Sequence, residues 1–200
     1  MLFCGVAAHG IMTRPGLDLQ RHAVSNLTLG EGGWTMIAAF HISGLLTAAC
    51  AIGLSHIMKE GRGRRALPIL VGLYGLGLIL AGIFPPPACC GFPAGTPENQ
   101  LPVMTPSAIV HSIAFMVAFS ALIGACFVAA VRLKGAAALP SLTAGILMPL
   151  LVGLGMSNLI APGVAFFIAA IIGWFWLAIV VMQLAGQSVQ THEPALAAQS

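Results

Sequence analysis

Five stretches of the chain, roughly 34–58, 67–84, 107–131, 137–160 and 164–184, contain no Asp, Glu, Lys or Arg. A helix needs about 20 apolar residues to cross the hydrocarbon core of a bilayer. Only 6% of the residues are charged, against about 25% in soluble domains. A soluble fold is therefore excluded, and an all-α, polytopic transmembrane bundle is expected. No basic patch with interleaved aromatics is present, so nucleic acid is not a partner; the lipid bilayer is.

A sixth apolar run, residues 1–12, spans roughly 18 Å as a helix and falls short of the ~30 Å core. The first of six helices is thus expected to be truncated, with the true start upstream, the alternative being a helix that spans only half the bilayer. A cleaved signal peptide fits poorly because no basic region precedes the run and no small-residue cleavage site follows it. The whole reads as one transmembrane domain over 1–186, followed by a polar, alanine-rich tail over 187–200 expected to be disordered. No internal repeat is visible.

Lys59, Arg62, Arg64, Arg65, Arg132 and Lys134 flank loops on one side, and only Arg14 and Arg21 fall on the other. By the positive-inside rule the basic loops are cytoplasmic. Segment 13–33, the proline-rich loop 85–106 and the turn at 161–163 are then extracytoplasmic. In segment 13–33, Pro15-Gly16 predicts a turn, and Asp18 is placed to cap a short helix running to Val24. Leu17, Val24 and Leu27 would lie on the bilayer while Arg21 and His22 face water. Gly72, Gly75, Gly77 and Gly82 in the third helix predict close backbone approach to a neighbour.

Polarity is concentrated in 13–34, and lipid tolerates ionisable groups poorly, so this stretch and what packs on it are the first candidates for function. Asp18 and His22, spaced i, i+4, would share a helix face about 6 Å apart, which suits a carboxylate-oriented imidazole or a pair of metal ligands. Ser25 beside His22 allows a serine nucleophile with a histidine base. The plainer alternative has Asp18 capping the helix and pairing with Arg21 or Arg14. Glu31, set among Gly30, Gly32 and Gly33, would present a carboxylate to a cation or headgroup amine.

His41 and His111 fall about 10 Å and about 7–8 Å deep in their helices, and His9 near the end of the first. A shared polar pocket beneath the outer loops is one reading; separate histidines bonded to backbone carbonyls is the other. Cys89 and Cys90 fall in a loop and suggest an intermolecular disulfide or a free thiol pair, since neighbouring cysteines rarely bridge each other. Cys4, Cys50 and Cys126 read as small core residues.

The patterns RPGLD, HAVSNLTLGEGGW entering a helix, GIFPPPACCGFPAGTP, and a helix opening TPSAIVHSIAF together resemble a bacterial six-helix membrane family of unknown function, domain of unknown function 998. The resemblance runs from about Arg14 to the last helix. It implies six transmembrane helices and no particular activity. Members usually have a full first helix, and often an Asp-Pro pair where this chain has Pro87-Ala88.

The expectation is an extracytoplasmic pocket in a bacterial inner membrane protein, where helices one, two and four meet. Arg14, Asp18, Arg21, His22, Ser25, Glu31, His41 and His111 would line it and take a small amphiphile or lipid headgroup. Rival readings are a membrane hydrolase with Ser25 or a metal-bound water as nucleophile, His22 or His111 as base and Asp18 as orienter, in which Asp18, His22 and His111 are the candidate ligands of a zinc; a haem protein using His41 with His9 or His111; and a partner-binding subunit.

Overall fold

The computed structural model describes residues 2–197, with side chains described as far as Gly186. Among them lie six α-helices: α1 Leu2–Thr13, α2 Trp34–Ile57, α3 Ala66–Ile83, α4 Pro106–Leu133, α5 Leu139–Met156 and α6 Pro162–Ala197. No strand occurs among the described residues; Cys89 and Phe92 form an isolated bridge. Helices α2 to α6 are long and apolar enough to cross a membrane, and α1 is shorter. The backbone remains helical to Ala197, so the tail expected to be unstructured continues α6 instead. Residues 198–200 of that expected tail lie outside the described ones.

Lipid tails are as apolar as leucine, so helices in a membrane are held by close packing and by small residues that permit it. Gly44 of α2 and Gly75 of α3 meet backbone to backbone: a Cβ on either would lie 2.7–2.8 Å from the other's carbonyl oxygen. On the next helix pair, a Cβ on Gly77 would sit 2.9 Å from the Ala114 carbonyl of α4. Two of the glycines picked out by sequence thus bring α3 against both neighbours. Gly72 only touches Ala51 at an ordinary 3.7 Å. Between α5 and α6, Trp176 Nε1 donates to the fully buried Ser141 Oγ at 2.9 Å.

Chain neighbours are therefore neighbours in space, with α3 lying between α2 and α4. Helices one and two pack on each other as expected, but α3 stands between α2 and α4. Helix α6 returns across the bundle, where Trp174 lies 6.2 Å from Phe3 of α1 and 5.6 Å from Tyr74 of α3 between ring centroids.

Candidate ligand cavity beneath the cap

Segments 14–33 and 84–105 cover one end of the bundle. The helix expected from Asp18 to Val24 does not form. Asp18 Oδ1 accepts from Gln20 N at 2.9 Å, and the Asp18 carbonyl accepts from Arg21 N and His22 N at 3.0 and 2.7 Å. The side chain of an aspartate offers the backbone this turn in competition with a helix. A short 3-10 helix, Val24–Thr28, follows, with Val24, Asn26, Leu27 and Thr28 buried. The segment is thus tucked into the bundle, where Val24 and Leu27 pack inside it and not on the bilayer.

His22 is 1% exposed. Its Nδ1 lies 2.9 Å from the Asp18 N–H, which can only donate, so Nδ1 accepts and the ring proton is on Nε2. Nε2–H then donates to the Cys89 carbonyl at 3.3 Å. Nearby, Asn26 Nδ2 donates to the Pro87 carbonyl at 3.3 Å. These two side chains join the cap segments. The turn also needs Gly163 at the start of α6: its N–H donates to the Leu19 carbonyl at 3.0 Å, and a Cβ there would be 2.2 Å from the His22 oxygen.

Arg14 holds the cap as well. Its guanidinium donates to the carbonyls of Leu27 and Leu29 at 3.2 and 2.5 Å and stands 5.5 Å from the centre of the buried Phe92 ring. Arg21 is the freer cation: it pairs with Glu98 at 2.9 Å and Asp18 at 3.7 Å, and its side chain is 53% exposed. Glu31 is exposed and makes no polar contact among the described residues.

His41 and His111 both bond to backbone carbonyls. His41 donates from Nδ1 to the Ile37 carbonyl at 2.8 Å, and its ring fills the space beside Gly82, whose Cβ would come within 2.8 Å of it. His111 donates from Nδ1 to the Phe84 carbonyl at 2.7 Å, fastening α4 to the end of α3. His9 is exposed beside the small gap under Arg14. No group of three or more His, Cys, Asp or Glu among the described residues is placed to hold a metal. With both ring nitrogens of His22 engaged by the backbone, neither the Ser25–His22 base pairing nor the zinc set of Asp18, His22 and His111 is assembled, while His41 and His111 each commit Nδ1 to a backbone carbonyl.

A cavity of about 400 Å³ lies beneath the cap, within the ~300–1,000 Å³ typical of small-molecule sites. Arg21, Ser25, Asn26 and His111 line its rim; Arg14, Asp18, His22, Glu31 and His41 do not line it. Its walls are apolar side chains of α3, α4 and α6, including Leu78, Phe115 and Phe166. Phe3, Tyr74 and Phe119 form the deep end, with Tyr74 roughly 14 Å below the cap end of α3. Met116 and Met156 line the cavity while remaining 46% and 57% exposed, so the space reaches the outer surface between α4 and the α5–α6 turn.

Tyr74 is 3% exposed and lines the cavity, and its hydroxyl has no hydrogen-bond partner among the described residues. Sequence reasoning missed Tyr74, Asn26, Glu98 and Gly163. The signal for Tyr74 was available, because it is the chain's one tyrosine and interrupts an otherwise aliphatic helix. Cys89 also borders the cavity; burial, with the hydrogen bond its thiol donates to Cys90, pushes that thiol up to about 11. All five cysteines are free.

A helical bundle with five membrane-length apolar helices and a capped end defines a multi-pass integral membrane protein. A family model described as protein of unknown function (DUF998) matches residues 1–183, and the chain belongs to that family. No curated protein and no solved structure matches it.

Proposed function

We propose that the protein binds an amphiphile taken from the membrane leaflet on the cap side, holding its hydrocarbon chain in the cavity and its polar end at Arg21, Ser25 and His111. The observation that carries this reading is the run of apolar wall from the polar rim to Tyr74, about half the depth of a ~30 Å hydrocarbon core. A chain from one leaflet fits that length. His111 lines the cavity with Nδ1 held by the Phe84 carbonyl, which places an oriented imidazole beside a hydroxyl or carboxyl group. Arg21 adds a cation for an anionic head. The distribution of Lys and Arg supports a cap on the extracytoplasmic face of the membrane.

The test uses full-length protein in maltoside micelles and the fluorescent fatty acid cis-parinaric acid. Ala170 lines the cavity from α6 and is only partly buried. Ala170→Phe should fill the space and weaken binding tenfold or more, while Arg21→Gln should weaken the carboxylate probe severalfold. Equal binding by wild type and A170F, with both proteins folded, would rule out the cavity as the site.

A further inference from the structure

A second site lies at the opposite end of the bundle and is independent of the cavity. A groove of about 370 Å³ between the end of α2 and the start of α3 is lined by Lys59, Arg64 and Arg65, by Ser55, and by Met58, Pro68 and Ile69. No acidic side chain lines it, and none of the three cations has an ion pair among the described residues.

The loop carrying these cations is held in place from α4. Arg132 Nη1 donates to the Glu60 and Arg62 carbonyls at 2.8 and 3.1 Å. Gly63 adopts a φ of 74° and packs so closely on Val128 that a Cβ would lie 2.5 Å from its Cγ1. Arg64 Nη1 donates back to the Lys59 carbonyl at 3.2 Å, bringing two of the basic residues together across the turn. Unpaired cations fastened beside one another repel, so the arrangement gains from an anion between them.

The floor of the groove indicates which anion. Ile69 is 60% exposed and Ile52, farther into α2, is 61% exposed, so the basic end opens onto an apolar helix surface that faces lipid. A soluble anion would use the cations and leave that surface idle. We infer that this groove binds the phosphate headgroup of an anionic phospholipid in the adjacent leaflet, with Lys59, Arg64 and Arg65 as phosphate ligands and an acyl chain laid along Ile69 and Ile52. Basic pockets between transmembrane helices hold such headgroups by the same combination of charge and apolar contact.

Full-length protein in a neutral maltoside would be titrated with dioleoyl phosphatidylglycerol and, separately, with zwitterionic dioleoyl phosphatidylcholine. Retained lipid is read by native mass spectrometry. Phosphatidylglycerol should be retained preferentially. Lys59→Gln should lower retention about fivefold and the Arg64→Gln/Arg65→Gln pair by more than tenfold, at about a factor of five per charge. Arg62→Gln removes the same charge outside the groove and should change retention less than twofold. Equal losses in R62Q and K59Q would show diffuse attraction and overturn the site. So would displacement of the lipid by millimolar inorganic phosphate, which would make the ligand a free anion. Should the double variant fail to fold, K59Q against R62Q still decides the question.

Discussion

At the scale of single residues, the cap depends on side chains that satisfy backbone groups. His22→Phe keeps the ring beside Phe92 but leaves the Asp18 N–H unpaired and removes one of the two hydrogen bonds that the Cys89 carbonyl accepts. One unsatisfied N–H should cost about 1–3 kcal/mol, read as a lower melting temperature of the solubilised protein. Gly163→Ala should be as damaging, since its methyl would run into the His22 and Leu19 carbonyls, and overpacking of this kind costs about 1–3 kcal/mol. Cys89 supplies a pH readout. The thiolate is the nucleophile, so a thiol held up to about 11 should alkylate slowly at neutral pH, with a rate rising about tenfold per pH unit until it flattens near that value. Mass spectrometric mapping of iodoacetamide adducts on Cys89 would check this; a plateau below pH 9 would contradict it.

At the scale of helices, α3 contains a paired comparison. Gly75 meets the α2 backbone, whereas Gly72, one turn away, has ordinary contact with Ala51. Gly75→Ala should destabilise by about 1–3 kcal/mol because backbone cannot step aside. Gly72→Ala should be neutral or stabilise by up to about 1 kcal/mol through helix propensity. Urea or dodecyl sulfate unfolding followed by circular dichroism would separate them, and equal effects would show that the glycines act by backbone flexibility. The helices themselves were readable from sequence to within a few residues at most ends, because lipid leaves a spanning backbone no other way to satisfy its polar groups. Segment 13–33 was not so constrained. Its i, i+4 pattern suggested a helix, but Asp18 closed a local turn, and the side chain of His22 then pointed inward to the proline-rich loop.

At the scale of the molecule, the bundle is closed at the cap face by the contact between two segments far apart in the chain. Arg21 and Glu98 form its one ion pair across the cap among the described residues, and both are exposed enough for the pair to contribute only about 0–1 kcal/mol. Glu98→Gln should thus leave the melting temperature nearly unchanged while releasing bound parinaric acid up to about fivefold faster, as stopped-flow fluorescence would show. An unchanged release rate would mean that ligand passes sideways, past Met116 and Met156, without opening the cap.

Membrane class, helix number and the crowding of polar residues at one end follow from composition and spacing alone, since the cost of putting charge or open backbone into lipid acts on each segment wherever its neighbours lie. Which polar residues reach the cavity does not follow. Of the eight site residues expected, only Arg21, Ser25 and His111 line it, and Tyr74 joins them from a helix with no other polar side chain. Hydrogen-bond partners decided that outcome: Arg14, His22 and His41 are committed to backbone carbonyls and amides supplied by the fold. No local pattern encodes a partner that lies on another segment, so that assignment had to wait for the packed chain.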